Sequence, residues 1–390
     1  VTREAEAIRR PDAGAPLTAR QLNRATLGRQ LLLERERLDV VDAVRRVVAL
    51  QAQEPASPYI ALWDRVAGFD PADLARAFDR QDVVKAQLMR ITLHAVAAAD
   101  YPAFHEAMQP TLHAARYLDR RFTGEGVSVD EVERMTPDLL AFASSPRTNT
   151  DVERWLEEHF RAPKPRVWWA LRQVGPFVHA SGDGPWSFGP RPAYVGAHVQ
   201  DRPGDEASSV EALVRRYLEG FGPATMPDIA QFGTIYRPPV QRALKALEGS
   251  LVTYVGPGGL QLYDVPGGLL PPEDSPAPPR LLPMWDSVLL AYVDRGRVIP
   301  AEYRKVVMRV NGDVLPTLLV DGLVAGVWRP VEGGIQATAF HPLADEAWEG
   351  LESEARALVT FLADRGPAIY GRYGHWWKEI RGAEVRVFAA

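Results

Sequence analysis

Residues 209–265, SVEALVRRYLEGFGPATMPDIAQFGTIYRPPVQRALKALEGSLVTYVGPGGLQLYDV, decide how this chain is to be read. The run SVEALVRRYLEGFGPAT carries apolar residues at helical spacing and is closed by Gly220 or Gly222. MPDIAQFG is a short second helix, and RPPVQRALKALEG is a third with prolines in its first turn. LVTYVGPGGLQLYDV then gives two short strands around a Gly-Pro-Gly-Gly turn. Helix, turn, helix, then hairpin is the order of a winged helix, a unit that reads DNA in many proteins and is plain scaffold in others.

Working outward, the same order recurs twice with weaker signals. LTARQLNRATLG, DVVDAVRRVVALQ and DPADLARAFDR read as helices, and VVKAQLMRITLHAV as paired strands joined near Arg90 and Ile91. Further on, DVERWLEEHF and VWWALRQVG precede FVHASGDGPWSFG, in which Ser181 to Pro185 suit a wing turn. The Pro-rich stretch LLPPEDSPAPPRLLP marks a boundary, beyond which LPTLLVDGLVAGVWRP alternates around Asp321-Gly322 as a hairpin and GIQATAF follows. One helix, ADEAWEGLESEARALVTFLADRG, precedes the closing VRVFAA. The expected architecture is α+β: a loose extension over 1–16, winged-helix modules over 17–100, 101–205 and 206–270, and a strand-rich, barrel-like domain with one helix over 280–390.

Composition narrows the function. With 46% apolar and 24% charged residues, the 390-residue chain is neither disordered nor membrane-embedded, and no apolar run approaches the roughly 20 residues of a membrane-spanning helix. The N-terminus lacks a signal-peptide core, so the expected location is the cytoplasm, in association with the nucleoid, with no membrane partner. Absence of cysteine excludes disulfides, thiolate nucleophiles and thiolate metal sites. The net charge of −5 argues at first against nucleic acid, but residues 1–50 hold ten arginines against seven acids. Only five of the 45 basic residues are lysine, which a GC-rich genome explains before function does; arginine nonetheless suits phosphate contacts.

Common catalytic signatures are missing: there is no Walker loop, no HExxH, no G-x-S-x-G and no dinucleotide fingerprint. The histidines are not at metal-ligand spacing, and His94 and His105 suit local hydrogen bonds better than ligation. No metal or cofactor is therefore expected. Asp286 and Asp294 could pair as acids, but serve equally well as structural turn residues. That leaves Gln51 and Gln53, at the end of VVDAVRRVVALQAQEP. The apolar spacing through Leu50 predicts a helix that Pro55 ends near Gln53; where the chain becomes extended, the two amides can point the same way. The simplest role for both is to cap the last helical carbonyls. A second is to hold one water between donors and acceptors. An amide is no base, so such a site suits a leaving group that departs readily. An N7-alkylated purine is one: it is cationic and leaves as a neutral base without a general acid.

QAQEPASPYIALWDR, LMRITLHAV, RRYLEGFGPATMPDIAQFG, LLPMWDSVLLAYVDR and PTLLVDGLVAGVW, in this order, resemble the winged-helix DNA glycosylase family of AlkZ and YcaQ from about Leu17 to the C-terminal strands. The resemblance implies three winged-helix modules and a small barrel in a C-shaped molecule around duplex DNA, with no second subunit needed. It also implies a monofunctional glycosylase that releases bulky N7-alkylpurine adducts, interstrand crosslinks included, leaving abasic sites. The family's Gln-x-Gln signature falls on Gln51 and Gln53. YcaQ-like members carry aspartate at the second position, so glutamine here favours the AlkZ side and self-resistance to a genotoxic natural product such as azinomycin. Candidate DNA contacts are Arg20, Arg24, Arg29, Arg65, Arg90, His94 and Arg237. Two other readings stay open: a non-catalytic winged-helix binder, acting as regulator or drug sequestrant, and, more weakly, a nuclease or lyase.

Overall fold

A computed structural model describes residues 16–197, 205–363, 365–366 and 369–389; the expected extension, up to residue 15, lies outside them. The stretch that opened the sequence reading forms the helices Glu206–Phe221, Met226–Gly233 and Arg237–Ala246 and the strands β7 (Val252–Val255) and β8 (Gln261–Asp264). Local chemistry sets their ends. Asp205 caps the first helix through the Ser208 amide, Thr225 and Asp228 cap the second reciprocally, and Pro238 and Pro239 occupy the first turn of the third. Their apolar faces meet in a ring cluster, with Tyr217, Phe221 and Phe232 at centroid separations of 5.0 to 5.4 Å. Each such fully buried side chain contributes about 1.5–3 kcal/mol.

Upstream, β1 (Leu50–Gln51), β2 (Val83–Leu88), β3 (Thr92–Ala97), β4 (Arg147–Thr148), β5 (Phe177–Ala180) and β6 (Ala193–Gly196) form one six-stranded sheet in the order β1-β3-β2-β5-β6-β4. The hairpin read at VVKAQLMRITLHAV is present, and its turn puts both Arg90 and Ile91 at positive φ. The second expected hairpin differs: β5 pairs with β6 beyond Arg191, so the connection is longer than the Ser181–Pro185 turn. Lys85 of β2 pairs with His179 of β5, which merges the two hairpins into a single sheet. Among the described residues, only β7 and β8 form a separate two-stranded unit. The helices Tyr101–Ala107, Gln109–Arg116 and Val129–Phe142, to which the sequence reading assigned no elements, add their apolar faces to this core.

Strands β9 (Arg280–Leu282), β10 (Thr317–Val320), β11 (Leu323–Val331), β12 (Gly334–Ala339) and β13 (Glu384–Ala389) make the C-terminal sheet, all antiparallel, in the order β13-β12-β11-β10-β9. The expectation of a barrel is corrected here, because β13 and β9 are edges and the sheet is open among the described residues. The helix Asp345–Ala363 instead supplies Trp348, Leu351, Ala355, Leu358 and Leu362, one stripe at helical spacing, to bury against the sheet. At the Asp321-Gly322 turn, Gly322 has φ +78°, and a Cβ there would meet Leu27 at 2.5 Å. The N-terminal helix Ala19–Arg29 therefore packs directly on this hairpin.

Candidate active site

The helix that leads to the glutamines, Val40–Arg46, stops earlier than its apolar spacing predicts. Val48 turns to φ 73°, and the backbone from Leu50 onward takes its partners from β3: Leu50 faces Ala95, Gln51 faces His94, and the Ala52 amide donates to the Leu93 carbonyl at 2.8 Å. Gln51 is thus a strand residue, and its amide is not used to cap helical carbonyls.

Gln51 is buried and its amide is held at both ends. Nε2 donates to Thr92 Oγ1 at 3.1 Å, and Oε1 accepts from Arg90 Nη2 at 3.1 Å. The same Arg90 nitrogen lies 2.9 Å from His94 Nε2, while His94 Nδ1 lies 3.1 Å from the Thr92 carbonyl. A carbonyl only accepts, so Nδ1 carries the imidazole proton and Nε2 accepts from the guanidinium. Burial and the Arg90 charge hold His94 well below the usual imidazole range, which keeps it neutral. Burial and Arg295 push Arg90 down to about 9, still charged at neutral pH. Arg90 has no carboxylate within ion-pair distance among the described residues, and its guanidinium lies 5.5 Å from the Phe232 ring centroid.

Gln53, two residues on, is exposed and makes no side-chain hydrogen bond to the described residues. Its neighbour Glu54 accepts from the Tyr373 hydroxyl at 3.0 Å and pairs with Arg372, so this carboxylate is already engaged. Behind the glutamines, Ser287 Oγ donates to the Ala49 carbonyl at 2.8 Å, which ties the strand to the segment entering the C-terminal sheet. Among the described residues no group of three His, Asp or Glu could hold a metal ion. No helix among them is long and apolar enough to cross a membrane.

The expected DNA contacts divide sharply, and several are corrected. Arg29 is buried on Asp264, with both nitrogens at 2.7 Å, and also donates to the Leu218 carbonyl. Arg65 is buried on Asp286 at 2.8 and 2.9 Å, and Arg24 is buried on Asp321. These three guanidinia are spent joining the first 65 residues to later segments and cannot face phosphate. Arg20 is part exposed but sits bidentate on Asp321 at 2.8 and 3.1 Å. His94 is fully buried, and Arg90 points inward to Gln51. Arg237 alone of the set is exposed with no ion pair to a described residue, at the start of the helix Arg237–Ala246 and beside the exposed Tyr236. Asp286 and Asp294 are structural: one holds Arg65 and the Val288 amide, the other caps the Gly296 amide at 2.9 Å. Thr92 escaped the sequence reading. Its signal was the period-two placement of Thr92 and His94 in LMRITLHAV, which a strand puts on one face.

The geometry gives an immobilised amide beside an exposed one, and the neighbouring carboxylate, Glu54, is already engaged by Tyr373 and Arg372. A family model described as DNA glycosylase AlkZ-like matches residues 44–361. The fold is similar to that of Streptomyces sahachiroi DNA glycosylase AlkZ, with a TM-score of 0.73 at 21% identity over 88% of this chain and 96% of that one. No curated protein matches the sequence. Since the family model spans most of the chain, this protein belongs to the AlkZ-like DNA glycosylase family and is a DNA glycosylase.

Proposed function

We propose that the enzyme is a monofunctional glycosylase that hydrolyses the N-glycosidic bond of bulky N7-alkylpurine adducts in duplex DNA, including interstrand crosslinks, and leaves abasic sites. The observation that carries this reading is the contrast between Gln51, fixed at both ends of its amide, and Gln53, two residues away, exposed and without a side-chain hydrogen bond to the described residues. Gln53 positions the attacking water and Gln51 orders its partner or stabilises charge on the sugar. Neither is a base, which suits a cationic purine that departs unaided; the rate gain comes from placing water at C1′ and from electrostatics. Glu54 does not serve as the base in this scheme, because Tyr373 and Arg372 occupy it.

A base tethered by a bulky adduct, or to the opposite strand, cannot swing into a closed pocket, so the reading requires an open cleft. Three winged-helix units and the C-terminal sheet would form a C-shaped cradle, a monomer sufficing, with the β7–β8 hairpin in the minor groove. Glutamine rather than aspartate at the second position supports toxin-derived adducts as the substrate, as in self-resistance to a compound such as azinomycin. The decisive experiment uses a duplex carrying one bulky N7-alkylguanine, scored as alkali-labile breaks. The parent should release the base, and Gln53→Ala should lose about a hundredfold in single-turnover rate with DNA affinity unchanged. A parent that binds this duplex tightly and makes no breaks would sink the adduct assignment.

A further inference from the structure

We propose that Arg90 and His94 are positioning residues that fix which end of the Gln51 amide faces the substrate, a role that rests on the reading of Gln51 given above. A glutamine amide has nearly the same shape whichever way it is flipped, so its orientation must come from its partners. Arg90 supplies it. A guanidinium only donates, so the group 3.1 Å from Nη2 must be the Gln51 oxygen. The nitrogen then faces Thr92, whose hydroxyl is itself turned to the Met89 carbonyl at 3.1 Å.

Arg90 is held in turn by His94. The two hydrogens of Nη2 serve two acceptors, Gln51 Oε1 and His94 Nε2 at 2.9 Å, and the imidazole can accept there only because its proton sits on Nδ1, against the Thr92 carbonyl. Gln51, Arg90, His94 and Thr92 close a ring of four hydrogen bonds. Lysine could not reproduce it, because the planar fork is what spans both acceptors. The scaffold also makes a concession for this placement. Arg90 and Ile91 both lie at positive φ, which a β-branched residue avoids, and Nη1 is buried without a partner. A buried cation on a strained turn, unpaired with any carboxylate of the described residues, is costly as mere packing and is explained by what it holds.

The test measures single-turnover base release and duplex affinity for Arg90→Lys, His94→Leu and His94→Gln, each in the parent and in a Gln51→Ala background. Arg90→Lys and His94→Leu should slow release by about tenfold or more with affinity within about threefold, since misplacement by 1 Å can cost a hundredfold. His94→Gln, which can still accept from Arg90, should recover most of the rate. None should slow Gln51→Ala further. Equal slowing in both backgrounds, or an affinity loss that matches the rate loss, would overturn the proposal. Release by Gln51→Ala at the parental rate would instead defeat the catalytic reading of Gln51. In that event the ¹⁵N order parameter of the Gln51 side chain decides: ordered in the parent and mobile in Arg90→Lys supports positioning, and no difference rules it out.

Discussion

At the scale of single residues, ionised side chains divide by what neutralises them. Arg29 and Arg65 lie in bidentate pairs inside the protein, and removing one partner strands a buried carboxylate. Arg65→Ala should therefore destabilise the fold by about 3–5 kcal/mol, read by denaturant unfolding, whereas a surface phosphate contact would leave stability unchanged. Lys85 is the opposite case: it is buried, with its ammonium 4.3 Å from the Phe188 ring centroid and no ion pair to a described residue. Burial pushes it down to about 8. Between pH 8 and 10.5 the unfolded chain then carries a proton that the folded chain has lost, so this group adds stability as pH rises and withdraws it as pH falls towards 8. Lys85→Met should be more stable than the parent at pH 7, with the advantage shrinking across that window; a constant difference would refute the assignment.

At the scale of elements, the helix Arg237–Ala246 is the third of the helix-turn-helix order and presents Arg237 unpaired at its start. If that end meets backbone phosphate, Arg237→Ala should weaken binding to adducted and undamaged duplex alike and reduce the salt slope by about one. Loss confined to adducted DNA would place it at the lesion instead. The β10–β11 hairpin is governed by its turn. Gly322 takes φ +78° against Leu27 and Asn23, so Gly322→Ala should lower the melting temperature through both strain and collision, while activity per folded molecule is retained. These elements were readable because turn and cap chemistry is local: Asp321-Gly322, Thr225 with Asp228, and the paired prolines act within a few residues. The end of the helix Val40–Arg46 was not readable, because the bonds that stop it come from β3, more than forty residues away.

At the scale of the whole molecule, the N-terminal helix Ala19–Arg29 is the common anchor. Arg24 reaches Asp321, Arg29 reaches Asp264, and Thr26 Oγ1 lies 2.6 Å from the Tyr292 hydroxyl, so one helix joins the β7–β8 hairpin, the linking segment and the C-terminal sheet. That anchoring engages Arg20, Arg24 and Arg29, three of the ten arginines among the first 50 residues, inside the protein's own ion pairs. The strand bearing Gln51, at the edge of the first sheet, is separately tied to the segment around Ser287 through the Ala49 carbonyl.

By itself the sequence determined the element order of residues 206–264, the hairpin turns at Arg90-Ile91, Gly256–Gly259 and Asp321-Gly322, and the family resemblance, and it singled out the glutamine pair. All of these are encoded in short-range patterns. Tertiary structure alone decided that Arg24, Arg29 and Arg65 are internal, that the first two hairpins share one sheet, and that the C-terminal sheet stays open. It also decided that Gln51 is locked by Arg90 and Thr92 while Gln53 is exposed. The reason is common to all four: an arginine's charge or an amide's orientation depends on which distant carboxylate, strand or guanidinium folding brings within about 3 Å, and no local pattern records that partner.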